Sequence, residues 1–138
     1  ILPKINFYNL MISDTFGVFD KRLKIINILK KNYKSNKTTK IISKNLFLNL
    51  INVSDISNAV NILIKNDIKT GRYLLKNKVA YKIIDLINTF NKDTNKKIKV
   101  KWLSNKTIYE KIYTYKKLIG WNPKQSSKID IIKIIQKK

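Results

Sequence analysis

Strand-like and helix-like segments alternate along this chain, and their alternation limits the fold more than any other feature of the sequence. Residues 5–12 form a mostly apolar run of strand length, and a short strand is predicted at 71–75. Residues 97–102 alternate strictly, which places the apolar side chains inward and the lysines outward. A strand pair is predicted at 39–43 and 46–53. Strands that alternate with helices predict an α/β domain.

Five segments carry the apolar spacing or the boundary signals of helices. Asp20 is predicted to cap a helix at 21–32. Ser54 or Asp55 is predicted to cap a second helix that runs to about residue 65. The other helices are predicted at 80–90, at 106–118 with Gly120 as its left-handed end, and from Ser126 or Ser127 onward.

The chain has 30 Lys and Arg residues against 8 Asp and Glu residues, which gives a formal net charge of +22. Such a charge is typical of nucleic-acid binding, because each phosphate contact releases counterions. However, all but two of these cations are lysines, and only Arg22 and Arg72 have the planar fork that suits phosphate and guanine. Ile, Lys and Asn make up 70 of the 138 residues and share adenine- and thymine-rich codons. We therefore attribute most of the charge to genome composition, and nucleic acid is not the expected partner.

Several kinds of chemistry are excluded by residues that the sequence lacks. Without cysteine or histidine, the chain has no disulfides, no Cys/His zinc site and no Ser-His or Cys-His catalytic pair. No acidic pair has metal-site spacing, and the three glycines are too far apart for a phosphate-binding loop. We therefore assign no catalytic, cofactor-binding or metal-ligating residue. No signal peptide and no apolar run of about 18 residues is found, so we expect a cytoplasmic protein without a membrane span.

The spacing Tyr-x-x-x-Lys, which can lower the pKa of a tyrosine that donates a proton, occurs at Tyr33–Lys37 and at Tyr113–Lys117. Seven tyrosines in a chain in which about one residue in five is lysine give roughly 1.4 such matches by chance. Two matches are therefore background, and neither pair is assigned a catalytic role.

Four blocks occur in the order and at about the spacing of a known family. They are DTFGVFDKRLKII (14–26, predicted to form a turn), LFLNLINVSDISNAVNIL (46–63), GRYLL (71–75) and LIGWNPKQSSKIDIIKII (118–135), with Pro3 ahead of them. The first resembles D-T-Y-G-x-x-D-x-R-x-K, and the last resembles a terminal L-G-W-x-P motif. Together they resemble the C-terminal part of extended short-chain dehydrogenases/reductases, in the NAD-dependent epimerase/dehydratase branch that acts on nucleotide sugars. The likeness is strongest to CDP-sugar 4-reductases and epimerases.

This resemblance implies an α/β fold that is the C-terminal portion of a Rossmann-like NAD(P)-binding fold, with its last parallel strands and helices plus a small substrate-binding subdomain. Residues 1–138 would form one such region. The family's Gly-rich loop and catalytic Tyr-x-x-x-Lys helix would precede Ile1, so we expect the sequence to begin inside a longer protein. The missing N-terminal half would hold NAD or NADP, the intact protein would form a homodimer, and this chain alone would bind no cofactor and would not catalyse.

The resemblance also implies which residues contact a nucleotide-diphosphate sugar: Asp14, Thr15, Arg22 and Asn49. Asp14 stands where relatives often have an Asn that faces the sugar nucleotide. Arg22 matches the motif's arginine, whose fork suits a diphosphate. Asp55 matches the second Asp of the family's Asp-Asp pair.

The chain departs from the family pattern at several positions. Asn49, Asn52 and Ser54 replace the usual Asp, His and first Asp, and Leu48 stands where many relatives have Arg. These departures keep open a degenerate relative without catalytic activity. A lysine-rich module that binds nucleic acid is the other alternative, and it predicts an affinity that falls steeply with salt.

Overall fold

A computed structural model of the chain describes residues 5–111 and 114–137. Pro3, which precedes the four family-like blocks, and Tyr113 of the second Tyr-x-x-x-Lys pair lie outside the described residues. The described part contains short strands and four helices. In chain order they are β1 Tyr8–Ile12, β2 Asp14–Phe16, α1 Ile25–Lys34, β3 Thr39–Ile41, β4 Leu46–Leu48, β5 Leu50–Asn52, α2 Val53–Lys65, β6 Gly71–Leu75, β7 Tyr81–Lys82, α3 Ile83–Asp93, β8 Val100–Trp102, β9 Ile108–Tyr109, β10 Lys116–Lys117 and α4 Lys128–Gln136.

Most strand pairs are parallel, as expected for an α/β fold. The longest pair joins β1 to β6 with Tyr8 opposite Gly71, and β10 lies on the other side of β6. Strand β2 pairs in parallel with β5, and β3 pairs in parallel with β8. Strand β4 pairs in parallel with β9 and antiparallel with β7. This topology confirms the α/β prediction.

Two groups of buried side chains form the core. The larger lies among α1, α3, α4 and strands β2 to β5, with Leu29, Leu50 and Phe90 removed from solvent. The smaller lies between α2 and the β1-β6-β10 sheet and includes Ala59 and Tyr73. The strands near the predicted site, β2 and β5, therefore lie between two packed layers.

The helices at 54–65, 80–90 and the end of the chain are confirmed, but two predicted caps are wrong. Helix α1 begins at Ile25 after Lys24, without a side-chain cap. Asp20 lies four residues before this position, and its carboxylate is paired with Arg22. Helix α2 is capped by Asn52, whose side chain accepts a hydrogen bond from the Ser54 amide. Helix α4 does begin after Ser127, which forms a capping box with Asp130.

Two further predictions are corrected by strand pairing. The segment at 106–118 is not a helix where it is described, because β9 pairs with β4 and β10 pairs with β6. The Tyr109 ring stacks on Phe47 at 4.8 Å between centroids, a cross-strand contact that favours the strand. Gly120 does have the predicted positive φ, at 76°, but in a turn. Strands 39–43 and 46–53 do not pair with each other, since β3 pairs with β8 and β5 with β2.

Candidate functional site

The predicted site begins where β1 ends. One residue, Ser13, separates β1 from β2, so Asp14 and Thr15 fall at the carboxyl end of a parallel strand. The segment expected to be a turn therefore starts with a short strand, which lies opposite β5 with Asp14 across from Leu50. Ligands of open α/β sheets bind at such strand ends. The Ser13 hydroxyl is buried without a hydrogen-bond partner among the described residues.

The Glu110 carboxylate joins two of the predicted site residues through their backbones. Its Oε1 accepts a hydrogen bond from the Asp14 amide at 2.9 Å, and its Oε2 accepts one from the Asn49 amide at 2.7 Å. The Asp14 amide belongs to the first residue of β2, and the Asn49 amide lies between β4 and β5. Glu110 thereby fixes the relative positions of β2 and the β4–β5 junction.

Arg22 lies beside Thr15 and is held by Asp20. Its Nη2 donates to the Thr15 hydroxyl at 2.5 Å and to Asp20 Oδ2 at 2.6 Å, while its Nε donates to Asp20 Oδ1 at 2.8 Å. This hydrogen-bonded pairing lowers the pKa of Asp20 and raises that of Arg22. About half of the Arg22 side chain, 53%, stays exposed, so the guanidinium remains accessible to a ligand.

Asp14 is also part of an ion pair, with the ammonium group of Lys24. Its Oδ1 in addition accepts a hydrogen bond from the Thr15 amide at 2.9 Å. The cationic side chains of Lys24 and Arg22 therefore lie next to two predicted site residues on β2, Asp14 and Thr15. A cationic pair beside a strand end is suited to an anionic ligand.

Arg22 also lines a cleft of about 400 Å³ between the 17–22 loop and the start of α2. Gly17 packs closely there, since a Cβ at this position would lie 3.1 Å from Val53 Cγ2. The Phe19 side chain is 91% exposed. The cleft is lined by Gly17, Val18, Phe19, Asp20, Arg22, Asn52, Val53, Ser54 and Gln125.

Asn49 is placed differently from the other predicted site residues, because it is buried with only 4% of its surface exposed. Its side-chain carbonyl accepts a hydrogen bond from the Asn77 amide at 2.8 Å, and its side-chain NH₂ donates to the Asn77 carbonyl at 3.0 Å. Asn77 in turn donates to the backbone oxygens of Leu50 and Ser126. The structure thus brings Asp14, Thr15 and Arg22 together, and it connects Asn49 to them through Glu110.

Asp55 is buried, with 3% exposure, and holds the segment before α4 against α2. Its carboxylate accepts hydrogen bonds from the amides of Lys124 and Gln125 and from the Ser126 hydroxyl. Because Gln125 lines the cleft, Asp55 determines the position of one cleft wall.

Glu110 and Asn77 belong to no recognisable motif, so no role was predicted for them from the sequence. The only signal for Glu110 is its rarity, since it is the single glutamate among eight acidic residues.

Within residues 5–111 and 114–137, no group of three acidic residues is arranged to hold a metal ion. No helix in that part of the chain is long and apolar enough to cross a membrane.

No protein-family model matches the sequence, and no curated protein matches it in sequence either. Solved structures do match it in fold. The chain aligns with MoeE5 in complex with UDP-glucose and NAD at a TM-score of 0.76 and 12% identity, over 95% of this chain and 46% of that one. UDP-glucuronic acid 4-epimerase from Bacillus cereus aligns at 0.74 and 16%, over 96% and 45%. dTDP-glucose 4,6-dehydratase from Bacillus anthracis aligns at 0.69 and 14%, over 94% and 43%.

The chain has the fold of part of a nucleotide-sugar epimerase or dehydratase. This confirms the expected likeness in fold to part of the nucleotide-sugar epimerases and dehydratases. The chain spans less than half the length of these structures. At 11–16% identity the likeness concerns the fold and does not identify a substrate.

Proposed function

We propose that this chain is the substrate-binding part of an NAD(P)-dependent nucleotide-sugar epimerase, dehydratase or reductase. It would bind a nucleotide-diphosphate hexose at β2, just beyond the carboxyl end of β1, and in the neighbouring cleft. The observation that supports this most directly is the position of Arg22, which reaches Thr15 on β2 and also lines the cleft. A guanidinium in this position can bind the diphosphate in two-pronged fashion.

The remaining predicted residues take distinct parts in this proposal. Thr15 and Asp14 lie beside the guanidinium and the Lys24 ammonium, where the sugar and the phosphates would meet. Asn49 would support the site from behind, because its amide group is engaged by Asn77. Residues 1–138 would act as one substrate-binding region.

Asp20 has a defined effect on such binding. Its carboxylate holds Nε and Nη2 of Arg22, which are two of the donors that a diphosphate needs. A diphosphate would therefore either bind the outer face of the guanidinium or displace Asp20. In both cases the carboxylate repels the ligand, so removal of its charge should tighten binding.

NAD or NADP would belong to the intact protein, as in the NAD-containing neighbours. The described residues do not fit a dinucleotide by themselves, since the three glycines are far apart in sequence and form no Gly-rich turn at the N-terminus of a helix. The cofactor would supply hydride transfer, and this chain would bind and orient the hexose.

The decisive experiment compares the two arginines of the chain. Binding of UDP and UDP-glucose to the 138-residue chain is measured by isothermal titration calorimetry and phosphorus NMR at low salt. Arg22→Gln should weaken binding about tenfold or more, because charged hydrogen bonds contribute about 1.5–3 kcal/mol each. Arg72→Gln is the matched control, since Arg72 is exposed on β6, away from the cleft.

Equal weakening by both substitutions would show only general attraction to a basic protein and would contradict the proposal. Absence of UDP binding by the unsubstituted chain would do the same. Asp20→Asn should act in the opposite direction from Arg22→Gln. Sugar epimerisation or 4-keto reduction by the 138 residues alone would contradict the division of roles between the two halves.

A further inference from the structure

A small pocket lies where β6 and β10 end, apart from the Arg22 cleft. Its volume is about 70 Å³, and we call it the β6–β10 pocket. Among the described residues, none lines both this pocket and the Arg22 cleft. The β6–β10 pocket is lined by Leu74, Lys76, Asn77, Lys78, Lys117, Trp121, Asn122 and Pro123.

Strand pairing explains why lysines from two distant parts of the sequence meet at this pocket. Strand β10 runs parallel to β6, with Lys117 opposite Leu74. Alternate residues of a strand lie on the same face of a sheet, so Lys76 continues the side on which Leu74 and Lys117 lie. Lys78 follows in the loop after β6. The fold therefore directs three lysines toward one small volume.

The buried part of the lining is held in place by its own hydrogen bonds. Asn77 and Trp121 are only 7% and 8% exposed. The side-chain NH₂ of Asn77 donates to two backbone carbonyls, and the indole N–H of Trp121 donates to the Asp55 carbonyl at 2.8 Å. These polar groups are already engaged, so a ligand would be bound by the lysines and not by the buried wall.

The accessible polar lining of the pocket is cationic. Lys78 and Lys117 are exposed, Lys76 is half-buried, and no acidic residue of the described chain lines the pocket. Within residues 5–111 and 114–137, none of the three ammonium groups forms an ion pair. Three like charges around one small volume repel one another, and a bound anion would remove this repulsion.

The volume of the pocket limits which anion fits. One water molecule takes up about 30 Å³ in the liquid, so about 70 Å³ accepts a group the size of two or three waters. A tetrahedral oxyanion has this size, whereas drug-sized and cofactor ligands occupy pockets of about 300–1,000 Å³. Lysine binds phosphate as a point charge and does not need the planar geometry of arginine.

We propose that the β6–β10 pocket binds a phosphate dianion, either the free ion or the terminal group of a phosphomonoester, through Lys76, Lys78 and Lys117. The exposed side-chain amide of Asn122 supplies a further donor. This site goes beyond the proposed nucleotide-sugar site. It uses different residues, and it requires neither a nucleotide nor a second polypeptide.

The test follows the indole N–H signal of Trp121 by NMR, because Trp121 lines this pocket and does not line the Arg22 cleft. The chain has two tryptophans, so Trp102→Phe assigns the two indole signals. The 138-residue chain is titrated with sodium phosphate at constant ionic strength and at about pH 8, where phosphomonoesters are dianions. The Trp121 signal should shift to saturation, with half-saturation at about 1 mM or below. Sodium chloride in place of phosphate should not produce this shift.

Lys117→Gln and Lys78→Gln should each weaken phosphate binding about fivefold or more, because each removes one of the three charges that face the dianion. Lys116→Gln is the matched control. Lys116 is the exposed neighbour of Lys117 on β10, but it lies on the other face of the strand and does not line the pocket. Each variant changes the net charge equally and replaces an exposed side chain, so each should keep the melting temperature of the parent chain.

Three results would overturn the proposal. The first is equal weakening by Lys116→Gln, which would show general attraction to a cationic chain. The second is a Trp121 signal that does not respond to phosphate below about 10 mM. The third is an equal response to dimethyl phosphate, a diester with a single charge. Methyl phosphate separates the two sources of the ligand: affinity equal to that of phosphate supports a phosphomonoester, and affinity about fivefold weaker supports the free ion.

Failure of this proposal is distinguishable from failure of the proposed function. Arg22→Gln should leave the response of Trp121 to phosphate unchanged, and Lys117→Gln should leave UDP binding unchanged. The reason is that Arg22 does not line the β6–β10 pocket and Lys117 does not line the Arg22 cleft.

Discussion

Replacement of Asp55 by Ala should be among the most destabilising single substitutions of a polar residue in this chain. The Asp55 carboxylate is buried and accepts hydrogen bonds from the Lys124 amide at 2.8 Å, the Gln125 amide at 2.9 Å and the Ser126 hydroxyl at 2.6 Å. The Trp121 indole N–H bonds to the backbone carbonyl of Asp55 instead, so this contact survives the substitution.

The magnitude follows from the donors that Asp55→Ala leaves without an acceptor. Each unsatisfied buried donor costs about 1–3 kcal/mol, and Asp55→Ala leaves the Lys124 amide, the Gln125 amide and the Ser126 hydroxyl without this acceptor. Water that enters beside Gln125 at the cleft wall should replace part of the lost hydrogen bonds, which keeps the total loss of stability near the lower end of the range for these donors. A loss of about 3–4 kcal/mol is therefore expected, a large part of the 5–15 kcal/mol that stabilises a typical domain.

Urea denaturation followed by circular dichroism measures this loss. Asp55→Asn keeps one acceptor oxygen but presents an NH₂ group to backbone donors, so it should cost about 2 kcal/mol. Asp93→Ala is the control, because Asp93 is exposed at the end of α3 and should change stability by no more than about 0.5 kcal/mol. If Asp55→Ala cost no more than Asp93→Ala, the inferred role of Asp55 in holding the α4 segment would be refuted.

Three further predictions concern other parts of the structure. Because Arg22 lowers the pKa of Asp20, the pair stabilises the fold above the ordinary value of 3.8 and loses its contribution as the pH falls through the lowered pKa. The stability difference between the parent chain and Asp20→Asn should therefore vanish at low pH, and denaturation between about pH 2.5 and 6 would show it; a constant difference would exclude the pairing. Glu110→Ala should destabilise the chain by about 1–3 kcal/mol and shift the NMR signals of the two amides that it accepts from, whereas Glu110→Gln, which keeps one acceptor oxygen, should do less. Phe90→Ala should cost about 3–5 kcal/mol by calorimetry, because Phe90 is fully buried beside Tyr33, and a cost below about 1 kcal/mol would place Phe90 outside the core.

Predictions from the sequence were accurate where the signal is local. Helix α4 begins after Ser127 because its capping box needs only residues three positions apart. Helix α3 buries Ile83, Ile87 and Phe90 as the helical spacing predicts. Asp20 was different, because helix α1 begins at Ile25 rather than directly after Asp20, and the Asp20 carboxylate pairs with Arg22 two residues later.

The longer strands were predicted where they occur, but β2 lies in a predicted turn, β7, β9 and β10 lie in predicted helices, and strand pairing was not predicted correctly. Strand β6 begins at Gly71 as predicted, but nothing in β3 or β5 indicates that their partners are β8 and β2. The segment at 106–118 has helix-like spacing on its own. Contacts of β9 with Leu46 and Phe47, more than 60 residues earlier, override this local preference.

The sequence by itself determined the alternation of strands and helices, the cap of α4, the absence of cysteine and histidine chemistry, and the likeness to part of a nucleotide-sugar enzyme fold. Only the tertiary structure decided how the polar groups of the site are used. Glu110 reaches amides 96 and 61 residues away, and Asp55 reaches Ser126 across 71 residues. The physical reason is that backbone periodicity is encoded within a few neighbouring residues, whereas a buried polar group takes whichever partner the packed chain brings within hydrogen-bond distance.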